Sequence, residues 1–154
     1  MALKSVHASI RTLRRKDSGS ALVELAVALP LLVLLAIGVA DFGRMFYTGM
    51  VVANAARAAA EFGARKVETW DSAAANAVGA EEASDIAPVT MTTVKFCRCP
   101  DGSTPACDGA CPQPYTWVET YVKTRVQKTL TLMMPYPGLP QTIIYNDSAT
   151  FRAQ

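Results

Sequence analysis

The sequence predicts an α+β fold: a long N-terminal helix, a short second helix and a small antiparallel sheet. Three observations predict it. Residues 20–40 hold 17 Ala, Val, Ile or Leu in 21 positions, and a helical period carries that run on to Lys66. An Ala-rich stretch follows over 72–84. Beyond Pro88 the chain turns to Thr-, Val- and aromatic-rich segments separated by Gly, Pro and Asp clusters.

The first element is long enough to cross a bilayer. Twenty-one residues rising about 1.5 Å each span roughly 31 Å, close to the thickness of a hydrocarbon core. Glu24 is the single charge between Ser20 and Ala40. An acid inside a membrane span costs about 1–3 kcal/mol, depending on depth, and points to a partner. Pro30 lies mid-helix, where its missing N–H and its ring predict a kink or local melting. From Asp41 to Lys66, Phe42, Met45/Phe46, Gly49, Ala53, Ala56, Ala60 and Gly63 recur every three or four residues. They form an apolar stripe, large near the span and small further out. Small residues permit close backbone approach, either to the chain's own sheet or to another helix.

Thr69-Trp70-Asp71-Ser72 interrupts the period, and Asp71 is placed to N-cap the helix over 72–84, which Pro88 closes. Val89 to Cys97 reads as a strand. Tyr115 to about Leu132 is the longest strand signal, with Tyr115, Trp117 and Tyr121 on one parity and Val118, Val122 and Val126 on the other. One face should pack on the helix and the other stay half-exposed. Met133 to Pro140 carries three prolines within six residues and cannot be regular. Gln141 to Arg152 returns to strand, with a turn expected at Asn146-Asp147. Three or four strands result.

Charge is unevenly spread. The 154-residue chain has a formal net charge of +2. Residues 1–19 carry Lys4, Arg11, Arg14, Arg15 and Lys16 against Asp17, or 5 − 1 = +4, leaving −2 for residues 20–154. The positive flank precedes the span, which predicts residues 1–18 in the cytoplasm and 41–154 outside. An anchor would satisfy this pattern, as would a secretory signal cut after Gly38-Val39-Ala40. The only histidine is His7, so the body of the chain has no Ser-His-Asp or Cys-His unit and no His-based metal site. There is no phosphate-binding glycine loop. Glu81-Glu82, Asp85 and Glu119 read as solvated surface and supply no poised acid–base pair. No catalytic residue, cofactor or metal is assigned. A body of net −2 without a basic stripe argues against a nucleic-acid partner.

Gly19-Ser20-Ala21-Leu22-Val23-Glu24-Leu25, followed by Ala26-Val27-Ala28-Leu29-Pro30, resembles the processing site and head of a type IV prepilin. Asp41-Phe42-Gly43-Arg44, Asn54-Ala55-Ala56-Arg57 and Glu61-Phe62-Gly63-Ala64-Arg65 narrow the resemblance to TadE-like pseudopilins of the tight-adherence (Flp, type IVb) pilus system, over about residues 15–65. The resemblance implies a pilin-like layout: a leader over 1–19, a transmembrane and assembly helix over 20–40, and a periplasmic or extracellular head over 41–154. It also implies cleavage between Gly19 and Ser20 by a prepilin peptidase, with Glu24 as the acid at the fifth mature position. Ser20 departs from the bulky aromatic that such subunits usually carry first. The implied partners are the peptidase, other pilins or pseudopilins of the same system, and the inner membrane.

Cys97, Cys99, Cys107 and Cys111 lie in the part expected outside the membrane, spaced C-x-C-x7-C-x3-C among turn formers. An even count in an oxidising compartment predicts two disulfides. Nested bridges, Cys97–Cys111 and Cys99–Cys107, are expected because antiparallel strands would bring the loop ends together. The outer bridge would be worth roughly 3 kcal/mol in the chain-entropy model. A four-Cys zinc site would want C-x2-C pairs. Tyr115 and Trp117 beside this loop read as core residues, or alternatively as a contact surface.

The expected function is that of a non-enzymatic minor pilin or pseudopilin, inserted in the inner membrane as a single pass and taking part in pilus assembly or priming. The rival is a signal-anchored periplasmic binding or sensor module that never enters a filament.

Overall fold

The structure is a computed structural model and describes residues 17–153. His7 and most of the expected leader lie outside the described residues. Helix α1 (Asp17–Arg65) is followed by helix α2 (Ser72–Glu82), a 3-10 turn over Ser84–Ile86, and strands β1 (Thr90–Arg98), β2 (Glu119–Thr131) and β3 (Thr142–Arg152). The strands make one antiparallel sheet in the order β1-β2-β3. The α+β class expected from the sequence is the one observed, with three strands. The chain divides into two compact units on either side of the Phe42–Gly43 bond.

The described part of the first unit is the N-terminal portion of α1. Its leucines and valines, from Leu22 to Leu35, are exposed around the whole circumference. A helix that is apolar all round is one that something outside its own chain must cover. It is long and apolar enough to cross a membrane. Pro30 sits inside the helix, which continues through it.

In the second unit, α1 buries Thr48, Val52, Ala55, Ala56, Ala59, Ala60, Gly63 and Ala64, a stripe at helical spacing. Val52, Ala55 and Ala56 form the core with Ala83, Ile86 and Val126, flanked by Met91, Tyr145 and Ala149. The small-residue face therefore packs on the chain's own sheet and second helix. The large end of the expected stripe does not join it: Phe42 is exposed and Phe46 is 73% exposed. The buried face runs through Val52, one position from the expected Ala53, and a one-residue step turns a helix by about 100°.

Two glycines measure how close this packing is. A Cβ on Gly63 would lie 2.9 Å from Val122 Cγ1, and one on Gly79 would lie 2.6 Å from Met91 Sδ and 2.9 Å from the Ala55 carbonyl oxygen. Asp71 caps α2 by accepting a 2.8 Å hydrogen bond from the Ala73 N–H. α2 is also pinned through Asn76, whose Oδ1 accepts from the Thr93 hydroxyl at 2.7 Å. Thr93 has a single proton, so the buried Thr124 hydroxyl, 2.8 Å away, donates to it.

Along β2, Val122, Thr124, Val126 and Leu130 are buried on one face, which Lys128 shares by parity, and the odd-numbered residues between them face away. Strand β2 begins at Glu119, later than expected, because Pro112 to Tyr115 is a turn closed by Tyr115 N–H on the Pro112 carbonyl at 3.1 Å. β3 runs straight through Asn146-Asp147, where a turn was expected. Asn146 pairs with Gln127 and Asp147 with Val126. The 13-residue β2 offers a continuous ladder there, and backbone pairing overrides the local turn preference of Asn and Asp.

Candidate functional site

The Gly19–Glu24 element forms one exposed patch at the start of α1. Ser20 and Glu24 are four residues apart and so share a helix face. Ser20 Oγ donates to Glu24 Oε1 at 3.2 Å. A carboxylate has about four acceptor positions, so this bond leaves most of Glu24 available. The six residues from Gly19 to Glu24 thus bring the predicted cleavage bond and the acid together within about one and a half turns. Pro30 stands further along the helix, apart from this pair.

Gly19 has no structural reason of its own to be glycine. A Cβ added there would meet nothing within 4 Å. Glycine in a helix interior costs about 1 kcal/mol relative to alanine, and no contact among the described residues offsets that cost at Gly19. Packing among the described residues thus does not explain the glycine. The same logic applies to Glu24. It is exposed on an otherwise uncharged apolar span, and in hydrocarbon its charge needs a partner. The helix is continuous through Ala40–Asp41, the alternative signal-type cleavage position.

The four cysteines form two bridges, Cys97–Cys107 and Cys99–Cys111. The nested arrangement expected from the spacing is corrected. It required Cys111 to stand opposite Cys97 at the strand ends. The register instead puts Thr120 opposite Cys97, with the Cys97 sulfur 3.4 Å from Thr120 Oγ1. Cys111 lies eight residues before β2 begins, and its sulfur is 3.0 Å from the Trp117 carbonyl. The overlapping bridges tie the loop to the end of β1 twice. Between them, Cys99 N–H bonds the Ser103 carbonyl at 2.8 Å, and Gly102 takes a positive φ of 88° to make that turn. Asp101 accepts from the Ser103 hydroxyl at 2.7 Å and the Ser103 N–H at 2.9 Å. Those bonds hold its carboxyl below the ordinary carboxylate range, the hydroxyl contributing most.

Trp117 is 55% exposed, not a core residue, and Tyr115 packs edge-on against it at 6.0 Å between centroids. Beside this pair, Tyr121 stacks on Phe96 at 5.5 Å and donates its hydroxyl to Glu119 at 2.7 Å, which raises the Tyr121 pKa. Glu119 also pairs with Arg152 at 2.9 Å. Elsewhere, Tyr47 donates to Asp85 at 2.8 Å, a link between α1 and the 3-10 turn that hydropathy gives no sign of. It lines an open cavity of about 260 Å³ with Thr48 and Lys128. Among the described residues, no three His, Cys, Asp or Glu side chains converge as a metal site.

Comparison with known proteins adds one finding. Residues 19–61 match the family described as TadE-like protein. That segment begins at Gly19, includes Glu24 and Pro30, and ends within the buried small-residue stretch of α1. No curated protein and no solved structure matches the chain.

Proposed function

We infer, from the TadE-like sequence of residues 19–61, that this chain is a pilin-like structural subunit of a tight-adherence pilus system. It is made as a precursor, inserted in the inner membrane with its head outside, and cut between Gly19 and Ser20 by a prepilin peptidase. The observation that carries this reading is the Gly19–Glu24 patch: a glycine unexplained by packing among the described residues, about one and a half turns from an acid in an apolar span.

Cleavage there removes the +4 leader and creates an ammonium at Ser20. When helices of several subunits pack together, that ammonium pairs with the Glu24 carboxylate of a neighbour. The pair offsets the cost of a buried acid, and a subunit docked out of register leaves the charge unpaired. The Ser20 hydroxyl occupies one acceptor position of Glu24 and pre-orients it. Pro30 leaves the Ala26 carbonyl without its helical donor, and adjoining helices or local rearrangement supply the missing bond. The exposed Leu and Val surface is the assembly surface, first toward lipid and then toward other subunits. The head, stapled by two disulfides, suits an oxidising compartment. Other pilins or pseudopilins of the same system are its partners.

The deciding experiment is the mass of the mature chain recovered from membranes. A terminus at Ser20 supports the reading. A terminus at Asp41, or an intact leader as in a signal-anchored sensor module, refutes it. Gly19→Ala should leave the full-length precursor. Glu24→Ala should insert normally but lower pilus assembly, and normal piliation in that strain would overturn the pairing mechanism.

A further inference from the structure

The outer face of the sheet carries charge opposite to that of the α2 segment packed behind it. Side chains alternate along a strand. Since Val122, Thr124 and Val126 are buried, Lys123 and Arg125 stand on the opposite, outer face. The register sets them in a flat surface of short side chains: Val94–Lys123–Thr150 in one row and Thr92–Arg125–Ser148 in the next. Arg98 and Arg152 extend this face at one end, where Arg152 is engaged by Glu119. Among the described residues, Lys123 and Arg125 make no ion pair, and Val94 beside them is 46% exposed.

The α2 segment behind the sheet is acidic, while Lys95 and Lys128 share the inner parity of Val122 and Val126. Between Lys66 and Lys95 the chain has Glu68, Asp71, Glu81, Glu82 and Asp85 and no base. Glu81 and Glu82 are exposed at the C-terminal end of α2, whose last turn holds no basic residue. The helix dipole disfavours acids at that end, so two carboxylates there await a cation from elsewhere. α2 is fixed to the inner side by the Asn76–Thr93 hydrogen bond and the approach of Gly79 to Met91. The sheet therefore separates the two charges, and they cannot meet within one head.

We propose that the Lys123–Arg125 face of one head docks on the Glu81–Glu82 end of α2 in a second copy of this chain. Charge complementarity selects the partner, and the flat Val94 and Thr rows let the surfaces approach. The contact uses different patches on the two copies, so it is heterologous and extends into a row instead of closing a dimer. Screening acts over about 8 Å at physiological ionic strength, so the interaction needs close approach and weakens with salt.

The test uses two differently tagged full-length chains in detergent micelles, co-purified at 50 and 500 mM NaCl (on the order of the ionic strengths where screening lengths differ severalfold). Wild-type copies should co-purify at low salt and about tenfold less at high salt. K123E/R125E chains should not pair with themselves, nor should E81K/E82K chains. Mixing the two variants should restore pairing, because each then offers the complement of the other. A wild-type circular dichroism spectrum together with a peptide map that retains Cys97–Cys107 and Cys99–Cys111 shows that the variants are folded. Three results would overturn the proposal: failure of the folded mixture to pair, pairing that survives both reversals and high salt and so belongs to the apolar helix, or loss in K123E/R125E of binding to an anionic polysaccharide with no self-pairing of the wild type.

Discussion

Replacing Gly79 with alanine places a methyl group where α2, α1 and β1 leave no room. The added Cβ would lie 2.6 Å from Met91 Sδ, 2.8 Å from Met91 Cε and 2.9 Å from the Ala55 carbonyl oxygen. Met91 is flexible and can swing aside. The carbonyl belongs to the backbone of α1, so α2 itself must retreat by about half an ångström to reach ordinary contact distance. Overpacking of this kind costs about 1–3 kcal/mol, against a gain of up to about 1 kcal/mol for alanine over glycine in a helix. Taking about 2 kcal/mol for the overpacking and about 1 kcal/mol for the helix gain, the balance is a loss of about 1 kcal/mol. In urea, with a slope of about 2 kcal/mol/M, this lowers the midpoint by roughly 0.5 M. Trp70 and Trp117 fluorescence of the full chain in detergent micelles reads the transition. Gly43 is the control, since a Cβ there meets nothing within 4 Å, and Gly43→Ala should leave the midpoint unchanged or raise it. A Gly79→Ala midpoint equal to or above wild type would refute the close α1–α2 packing.

Removing the Cys97–Cys107 bridge by a double serine substitution should cost about 3 kcal/mol in the chain-entropy model while leaving Cys99–Cys111 intact. Non-reducing peptide mapping checks both the connectivity and the surviving bridge. Asp71→Ala removes the cap of α2 and should lower stability by about 1 kcal/mol, with Asp71→Asn largely retaining it. Asp101 has a folded pKa below its unfolded value, owing to its bonds from Ser103. Its contribution is therefore present above the ordinary carboxylate range and is lost as pH falls through that range and below it. An NMR titration should find the Asp101 midpoint depressed in the wild type and restored toward normal in Ser103→Ala.

Periodicity made the main elements legible. The 3.6-residue repeat marked α1 as far as Arg65, Asp71 marked the start of α2, and Val/Thr alternation marked β1 and β2. The misreadings share a cause. Phe46 lies on the apolar repeat yet is exposed, because the buried face is decided by where the sheet lies and not by the largest side chains. Asn146-Asp147 is a turn signal locally, but β2 supplies a partner strand. The half-buried Tyr121 and Lys123 and the exposed Arg125 could be placed on a shared strand face from parity, while the position of Arg152 opposite Tyr121 required the register of β3. For the candidate site, Gly19, Ser20 and Glu24 were readable directly, since a helix converts sequence spacing into geometry.

What the sequence by itself determined is local: a bilayer-length helix, its single acid, the glycine before it, the helix cap and the presence of four cysteines in one loop. These follow from spacing along the chain, and α-helical geometry maps spacing onto faces without outside help. Only the tertiary structure decided which cysteines pair, because Thr120 and not Cys111 stands opposite Cys97. It also decided that Lys123 and Arg125 stand on the side of the sheet away from α2 and its Glu81–Glu82 end. Both depend on contacts between residues distant in sequence, and such contacts are set by strand register and helix packing, which no local spacing encodes.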